Sequence, residues 1–316
     1  MKSRGGTIAL CYRFTGSAGR DCLSRRPRPG GPPSSGSGGD TSQNHADPFP
    51  AAVDDLWKRR ADLDPADAEA RGVVVGAVDL LDTGGARVAE VRGDAVVVNE
   101  RARRAVTLAF RVLGPVRSQV GDFHHHDRVP LKTSFDGVRV VPGAIARWGA
   151  HLGSGVVLMP SFVDIGAHVG AGGTVGVWAA IGSCAQVGEN VRLAAGVCLE
   201  GSPEPDGPAP ALVEDDALVG ARAVIGAGAR VGRGAVIGAG TVLTASTPVV
   251  DALTGEELGR GHVPGRCVAV GGTGGAEFPG GAFGLPCVLV LRRLREGWRH
   301  DEAELGEILR EHGFSG

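Results

Sequence analysis

The chain has 316 residues, 22% of them charged, and a net charge of −2, which gives no electrostatic case for nucleic acid or an anionic membrane surface as a partner. No run of 18 apolar residues occurs, so nothing in the sequence reads as a helix crossing a bilayer. Aromatics make up 4% while glycine numbers 53, a balance that suits a core of stacked aliphatics and tight corners rather than large rings.

Residues 1–48 are rich in Gly, Ser, Pro and Arg and poor in acids, and read as a disordered extension, with an organelle transit peptide or an early start codon as other readings. The sequence divides into this extension at 1–50, an α-rich domain with its linker at 51–135, a repeat domain at 136–250, and a C-terminal β/α region at 251–316. From Asp54 to Leu81 the apolar spacing is helical, Ala95 to Val98 reads as a strand, and Glu100 to Leu113 as a second helix. Gly121 to Ser134 reads as a loop carrying His124, His125 and His126, an interface segment rather than a metal site. The six cysteines (Cys11, Cys22, Cys184, Cys198, Cys267, Cys287) show no CxxC spacing and read as reduced thiols of a cytoplasmic protein. Cys184 is expected to pack rather than react, because no base or helix N-terminus is at hand.

The centre of the chain repeats every six residues. Val157, Val163, Val169, Val175, Ile181, Val187, Leu193 and Leu199 are followed, after a break, by Val213, Val219, Ile225, Val231, Ile237 and Leu243. Neither a helix nor a single strand has this period, so short strands joined by corners are predicted, each aliphatic pointing into a stacked interior. One residue later comes a glycine (Gly170, Gly176, Gly182, Gly188), as expected where a side chain would clash or φ must be positive. With three hexads per coil, residues 18 apart stack at roughly 4.8 Å. That spacing puts Asp164, Gly182 and Glu200 in one column, and Leu158, Gly176 and Ala194 in another. The step from Leu199 to Val213 is 14 residues where 12 would keep register, so GSPEPDGPAP must leave the coil as an external loop. Downstream, Arg266 to Val270 and Cys287 to Leu291 read as strands, and Asp301 to Glu311 as an amphipathic helix.

Several segments are more specific than the repeat. VVLMPSFVDIGAHVG (156–170), VWAAIGSCAQVGENVRL (177–193), VEDDALVGAR (213–222) and LTGEE (253–257) closely resemble the tetrahydrodipicolinate N-succinyltransferase family. So do LWKRRADLDP (56–65), DLLDTGGARVAE (79–90), AVTLAFRV (105–112), DRVPLK (127–132) and GVRVVP (137–142), outside the repeat. The resemblance implies a mainly β fold: a left-handed parallel β-helix of hexapeptide repeats, a small α-rich N-terminal domain, and a short C-terminal strand and helix region. It implies a homotrimer, with succinyl-coenzyme A as co-substrate in a groove between neighbouring coils. An amino-dicarboxylate substrate would lie at the same seam; no cofactor, metal, nucleic acid or membrane is called for.

Residue by residue the carry-over is uneven. Arg139, in GVRVVP, matches an arginine that holds a substrate carboxylate, a role that the guanidinium fork suits. Arg222, in VGAR, matches a position serving the acyl-coenzyme A or the substrate. Two carboxylates of the family pattern are absent: Gly176 stands where the family's MVDTW segment has Asp, and Val224 stands two residues after Arg222 where it has an acid. A base matters because an ammonium cannot attack a thioester. Glu200 and Glu214, with Asp215 beside the latter, are the candidates to replace it, against the reading that they are solvated corner charges. Three functions stay open: the lysine-pathway N-succinyltransferase; a diverged member acylating another amine, with acetyl-coenzyme A as a further donor; and a catalytically silent trimer.

Overall fold

The computed structural model describes residues 47–298 and 302–313. The expectations for residues 1–46, including Cys11 and Cys22, lie outside the described residues. Phe49, assigned to the extension, is buried with the helices that follow it.

The helical region is three helices and two hairpins. α1 (Ala52–Lys58) and α2 (Ala68–Asp82) replace the continuous helical stretch read from the sequence. The break falls at Asp64–Pro65, and Asp67 restarts the chain by accepting the Ala70 N–H as an N-cap. α3 (Glu100–Val112) is capped in the same way by Asn99. Val74, Val78, Val106 and Leu108 on the facing sides are fully buried. Between α2 and α3 the segments Ala89–Arg92 and Ala95–Val98 pair antiparallel. The loop expected over 121–134 is in part a second hairpin, Val116–Val120 with Phe123–Asp127, because five consecutive residues on each side satisfy one another's backbone.

The repeat winds as a left-handed parallel β-helix with three faces. Its first face stacks Arg139–Val140, Val157–Leu158, Thr174–Val175, Arg192–Leu193, Leu218–Val219 and Val236–Ile237. The second stacks Ile145–Ala146, Phe162–Val163, Ala180–Ile181, Cys198–Leu199, Val224–Ile225 and Val242–Leu243. The third stacks His151–Leu152, His168–Val169, Gln186–Val187, Leu212–Val213, Arg230–Val231 and His262–Val263. In each pair the second residue points inward, and with the small residue at the following corner (Ala179, Ala185, Ala217, Ala223) it forms one continuous core.

Register departs from the sequence reading in three places. Leu158, not Val157, is the inward residue of its turn, and it lies beside Val175, 17 positions on, because the hexad before Val163 is one residue short. Met159 rather than Leu158 therefore shares the column of Gly176 and Ala194: its N–H donates to the Val175 carbonyl, as that of Gly176 donates to Leu193. Leu199 and Val213 sit on successive faces, as the pairing of Val187 with Val213 and Leu199 with Ile225 shows. Regular spacing there is six residues, so the excursion inserts eight rather than two. The coil also runs past residue 250, the expected end of the repeat domain: Val263 and Ala269 resume the stack after an antiparallel pair, Pro248–Asp251 with Glu257–Arg260. The C-terminal strands are longer than expected, Cys267–Phe278 and Gly281–Arg293, and α4 (Glu302–Glu311) buries Ile308 against Val268, Leu291 and Leu294.

The two demands assigned to the corner glycines separate. Gly176 follows the inward residue, and a Cβ there would lie 2.6 Å from the Ala194 carbonyl carbon of the next coil. The left-handed backbone comes two residues later, at Trp178 (φ 59°), Cys184 (φ 68°) and Arg222 (φ 59°) as well as at glycines such as Gly228 (φ 77°).

The excursion 201–210 is held by α3. Arg103, with no exposure at all, donates to the carbonyls of Ser202, Gly207 and Pro208 and to Ser202 Oγ, with Glu100 as its charge partner at 3.0 Å. Thr107 Oγ1 donates to Pro203 O, and Glu100 accepts the Asp206 N–H. Arg103→Met would leave the Ser202 and Gly207 carbonyls without donors, Pro208 O keeping the Ser202 hydroxyl, and would strand Glu100 without its cation, at a cost of about 3–5 kcal/mol. Hydrogen exchange of the 201–210 amides should accelerate and the melting temperature fall; unchanged exchange would contradict this account of the loop.

Candidate active site

The residues singled out in the sequence do not form one cluster within the chain. Arg139 projects from the first coil on the first face, exposed, with no ion pair among the described residues. Gly176 opens the corner between the first and second faces. Arg222 lies at the same corner two coils further on, where Gly196 N–H donates to Val177 O and Arg222 N–H to Ala195 O. Val224 follows on the outward side of the second face.

Trp178 was not singled out in the sequence, and it is the most conspicuous residue of this corner. Its side chain is 80% exposed, and its backbone is left-handed, which for a bulky residue costs on the order of 1–3 kcal/mol. Trp178, Gly196, Arg222 and Gly240 occupy equivalent positions in successive turns. The available signal was a large aromatic at a repeat position that glycine fills in neighbouring turns. The corner thus presents an aromatic plate and a guanidinium on rigid backbone, with the outward row Ile145, Phe162, Ala180, Cys198, Val224 and Val242 beside it. Ile145 and Val242 in that row are 39% and 45% exposed.

The two candidate bases sit elsewhere. Glu200 opens the corner between the second and third faces, and its Oε2 accepts the Ala227 N–H at 2.9 Å. Glu214 opens the remaining corner, bound to Arg230 at 2.6 Å, while Arg230 also donates to Asp94 O. Within one chain neither carboxylate reaches Gly176. Asp215, next to Glu214, accepts from the Glu189 N–H and pairs with Arg233.

Cys184 is fully buried against α3, and burial pushes its thiol up to about 12, well above the range of a nucleophile. His124, His125 and His126 lie on an exposed strand; alternation turns His125 away from its neighbours, so the three do not converge on one ion. Asp127, at the end of that strand, pairs with Arg147, which also binds Asp164 at 3.0 Å.

A cleft of about 680 Å³ lies where the corner between the third and first faces meets the segment after the long hairpin. Arg192, Arg233, Arg266 and Arg295 line it, against Asp216 and Glu296. Arg192 has no ion pair among the described residues, so the cleft keeps positive charge for an anionic group.

Two family models match the chain: the N-terminal region of tetrahydrodipicolinate N-succinyltransferase, over residues 48–112, and the hexapeptide repeat of succinyl-transferase, over residues 210–245. A 2,3,4,5-tetrahydropyridine-2,6-dicarboxylate N-succinyltransferase from Methylorubrum extorquens is 39% identical over 283 residues, covering 84% of this chain and 99% of the relative. The chain belongs to this family. A second N-succinyltransferase, from Methylorubrum populi, is 40% identical over 82% of this chain and 96% of its own length. One from Paramagnetospirillum magneticum is 40% identical over 82% and 97%. The family assignment covers the helical region and the coil together.

Two substitutions check the site's geometry. Gly176→Ala puts a methyl group against the Ala194 backbone and is expected to destabilise by about 1–3 kcal/mol, read as a lower melting temperature. Gly176→Asp meets the same wall, so an acid at this corner requires the coils to part; a variant as stable as the parent would refute that contact. Alkylation mapped by mass spectrometry should spare Cys184 and Cys267 in the native protein, where burial raises their thiols to about 12, and label both once the chain is denatured.

Proposed function

We propose that this protein transfers the succinyl group of succinyl-coenzyme A to the amine of tetrahydrodipicolinate in its ring-opened amino-oxo form, in the diaminopimelate branch of lysine synthesis. The observation that carries the reading is the match to N-succinyltransferases along nearly their whole length. In this reaction the amine nitrogen bonds to the thioester carbonyl carbon, the C–S bond breaks, and the coenzyme leaves as a thiol that takes the proton lost by nitrogen. The thioester is already activated, so the enzyme's task is to align the two groups and meet the oxyanion with N–H donors.

In this reading the site is completed by a second copy. The outward apolar row of the second face and the exposed Trp178 gain by packing against another chain, and a homotrimer is the closed arrangement that buries them in every copy. Such a seam brings corners of different chains together, which is the way Glu200 or Glu214 would meet the Gly176 corner. Arg139 then takes a substrate carboxylate, and Arg222 the substrate or the acyl donor. The cleft of Arg192, Arg233, Arg266 and Arg295 offers positive charge to the coenzyme phosphates. The trimer would work in the cytoplasm, and no helix of the described residues is long and apolar enough to cross a membrane.

Gly176 and Val224 favour a second reading, an acyltransferase of the same type whose acceptor is a less basic amine and needs no carboxylate beside it. Thiol release measured with succinyl- and acetyl-coenzyme A, against tetrahydrodipicolinate and a panel of small amines, separates the two. Turnover with tetrahydrodipicolinate supports the first, turnover only with another amine the second, and no turnover with any pair leaves a catalytically silent trimer. In the active pair Arg139→Lys is expected to lower kcat/KM about ten- to a hundredfold, since a bidentate charged contact is worth roughly 1.5–3 kcal/mol. Ile145→Glu is expected to dissociate the assembly in light scattering while the circular dichroism of the coil persists. An unchanged mass would remove the second face from the interface.

A further inference from the structure

A second cavity, of about 460 Å³, lies between the third face and the segment that follows α2, away from the Trp178 corner. Its chemistry is unlike that of the arginine cleft. On one side Arg87 reaches the coil and donates through Nε to Gln186 Oε1 at 3.1 Å, while its terminal nitrogens have no hydrogen bond among the described residues. This guanidinium is buried enough for desolvation to lower its pKa. The acids around it, Glu90, Asp215 and Glu189, act at a distance rather than by direct ion pairing. At the far side the Glu189 carboxylate has no partner among the described residues, and Asp215 is already tied to the Glu189 N–H and to Arg233.

The wall between these charges is made by two stacked imidazoles, His151 and His168, with ring centroids 4.6 Å apart. His151 is wedged on its other side by Gly84, where a Cβ would lie 2.4 Å from the ring. His168 Nδ1 is buried without a hydrogen-bond partner. Burial pushes His168 down to about 2 and lowers His151 as well, with Arg87 nearby adding to both shifts, so neither ring carries charge at neutral pH. The cavity therefore offers one unpaired cation, one unpaired anion and the Ser154 hydroxyl, across a floor of glycines that successive coils keep bare.

A simple anion on Arg87 would also meet Glu189 and Asp215, and a simple cation on Glu189 would also meet Arg87, so each would be opposed by a like charge. A molecule carrying both charges satisfies both ends. We propose that this cavity is a binding site for a polar α-amino acid, its carboxylate on the Arg87 guanidinium, its ammonium on Glu189, and its polar side chain toward the Ser154 hydroxyl and the imidazole wall. The site is separate from the acyl-transfer reading and stands whether or not that reading holds.

Three ligands of one skeleton test this on the full-length protein by titration calorimetry: L-glutamine, 4-carbamoylbutanoate, which lacks the amine, and 4-aminobutanamide, which lacks the carboxylate. L-Glutamine is expected to bind at least tenfold more tightly than either truncated form. Arg87→Gln and, independently, Glu189→Gln should each weaken it tenfold or more. Glu189 is exposed and its side chain supports no contact in the fold, so Glu189→Gln remains a fair test if Arg87→Gln is unstable. Equal binding of 4-carbamoylbutanoate would make this a plain anion site and overturn the proposal, as would equal binding of 4-aminobutanamide. No binding of L-glutamine at millimolar concentration, or binding indifferent to both variants, would overturn it as well.

Discussion

The close approach of one coil to the next governs this molecule. Successive turns share a continuous ladder of backbone hydrogen bonds, such as Gly176 N–H to Leu193 O and Ala194 N–H to Val219 O, each at 2.9 Å. At Gly170, Gly176 and Gly188 that spacing leaves no room for a Cβ after the inward residue, whereas Ala194, Glu200 and Glu214 fill the same position in other turns. It also forces the chain through a left-handed residue at each full corner. What remains free is the outward side of each strand and the second corner residue, and it is there that Arg139, Trp178 and Arg222 stand. Chemistry on this scaffold is confined to positions that the ladder does not claim.

The third face is spent on a different purpose. The helical region covers the coil through Ile165 and Cys184, and Arg103 anchors the eight-residue excursion against α3. The arginine works because its donors meet three carbonyls of the excursion and the Ser202 hydroxyl, and because Glu100 balances its charge. The first-to-second corner stays uncovered, and the outward apolar row beside it continues along the coil from Ile145 to Val242.

Much of this was legible in the sequence, because a six-residue period has one structural solution and the inward residues announce it. The helices, the strand Ala95 to Val98 and the external loop followed from local pattern. What escaped was count and register. A hexad one residue short moved the inward role from Val157 to Leu158, and an excursion returning to the next face was misjudged as returning two faces on. Both errors come from counting along the chain where the ladder counts across it. Trp178 was passed over because exposure and backbone sign are properties of the corner, not of the residue. Glu200 and Glu214 were brought forward as charges near a groove, and only the three-sided winding shows that they point from other edges, with partners of their own.

The ends of the coil bear on solubility. A stack of parallel strands could in principle recruit further chains at either open end and grow into a filament. At the first turn, Leu131 bridges to Arg147, and Lys132 donates to the Ala146 carbonyl, so the second face is covered before it can be extended. At the last, the first face passes into the long hairpin Cys267–Phe278 and Gly281–Arg293, whose internal antiparallel pairing breaks the repeat that a copy would have to match, and whose second strand is flanked in parallel by Pro248–Asp251. The same winding that makes the prism indefinitely extensible is thus interrupted on one face at each end by pieces of the chain that do not obey it.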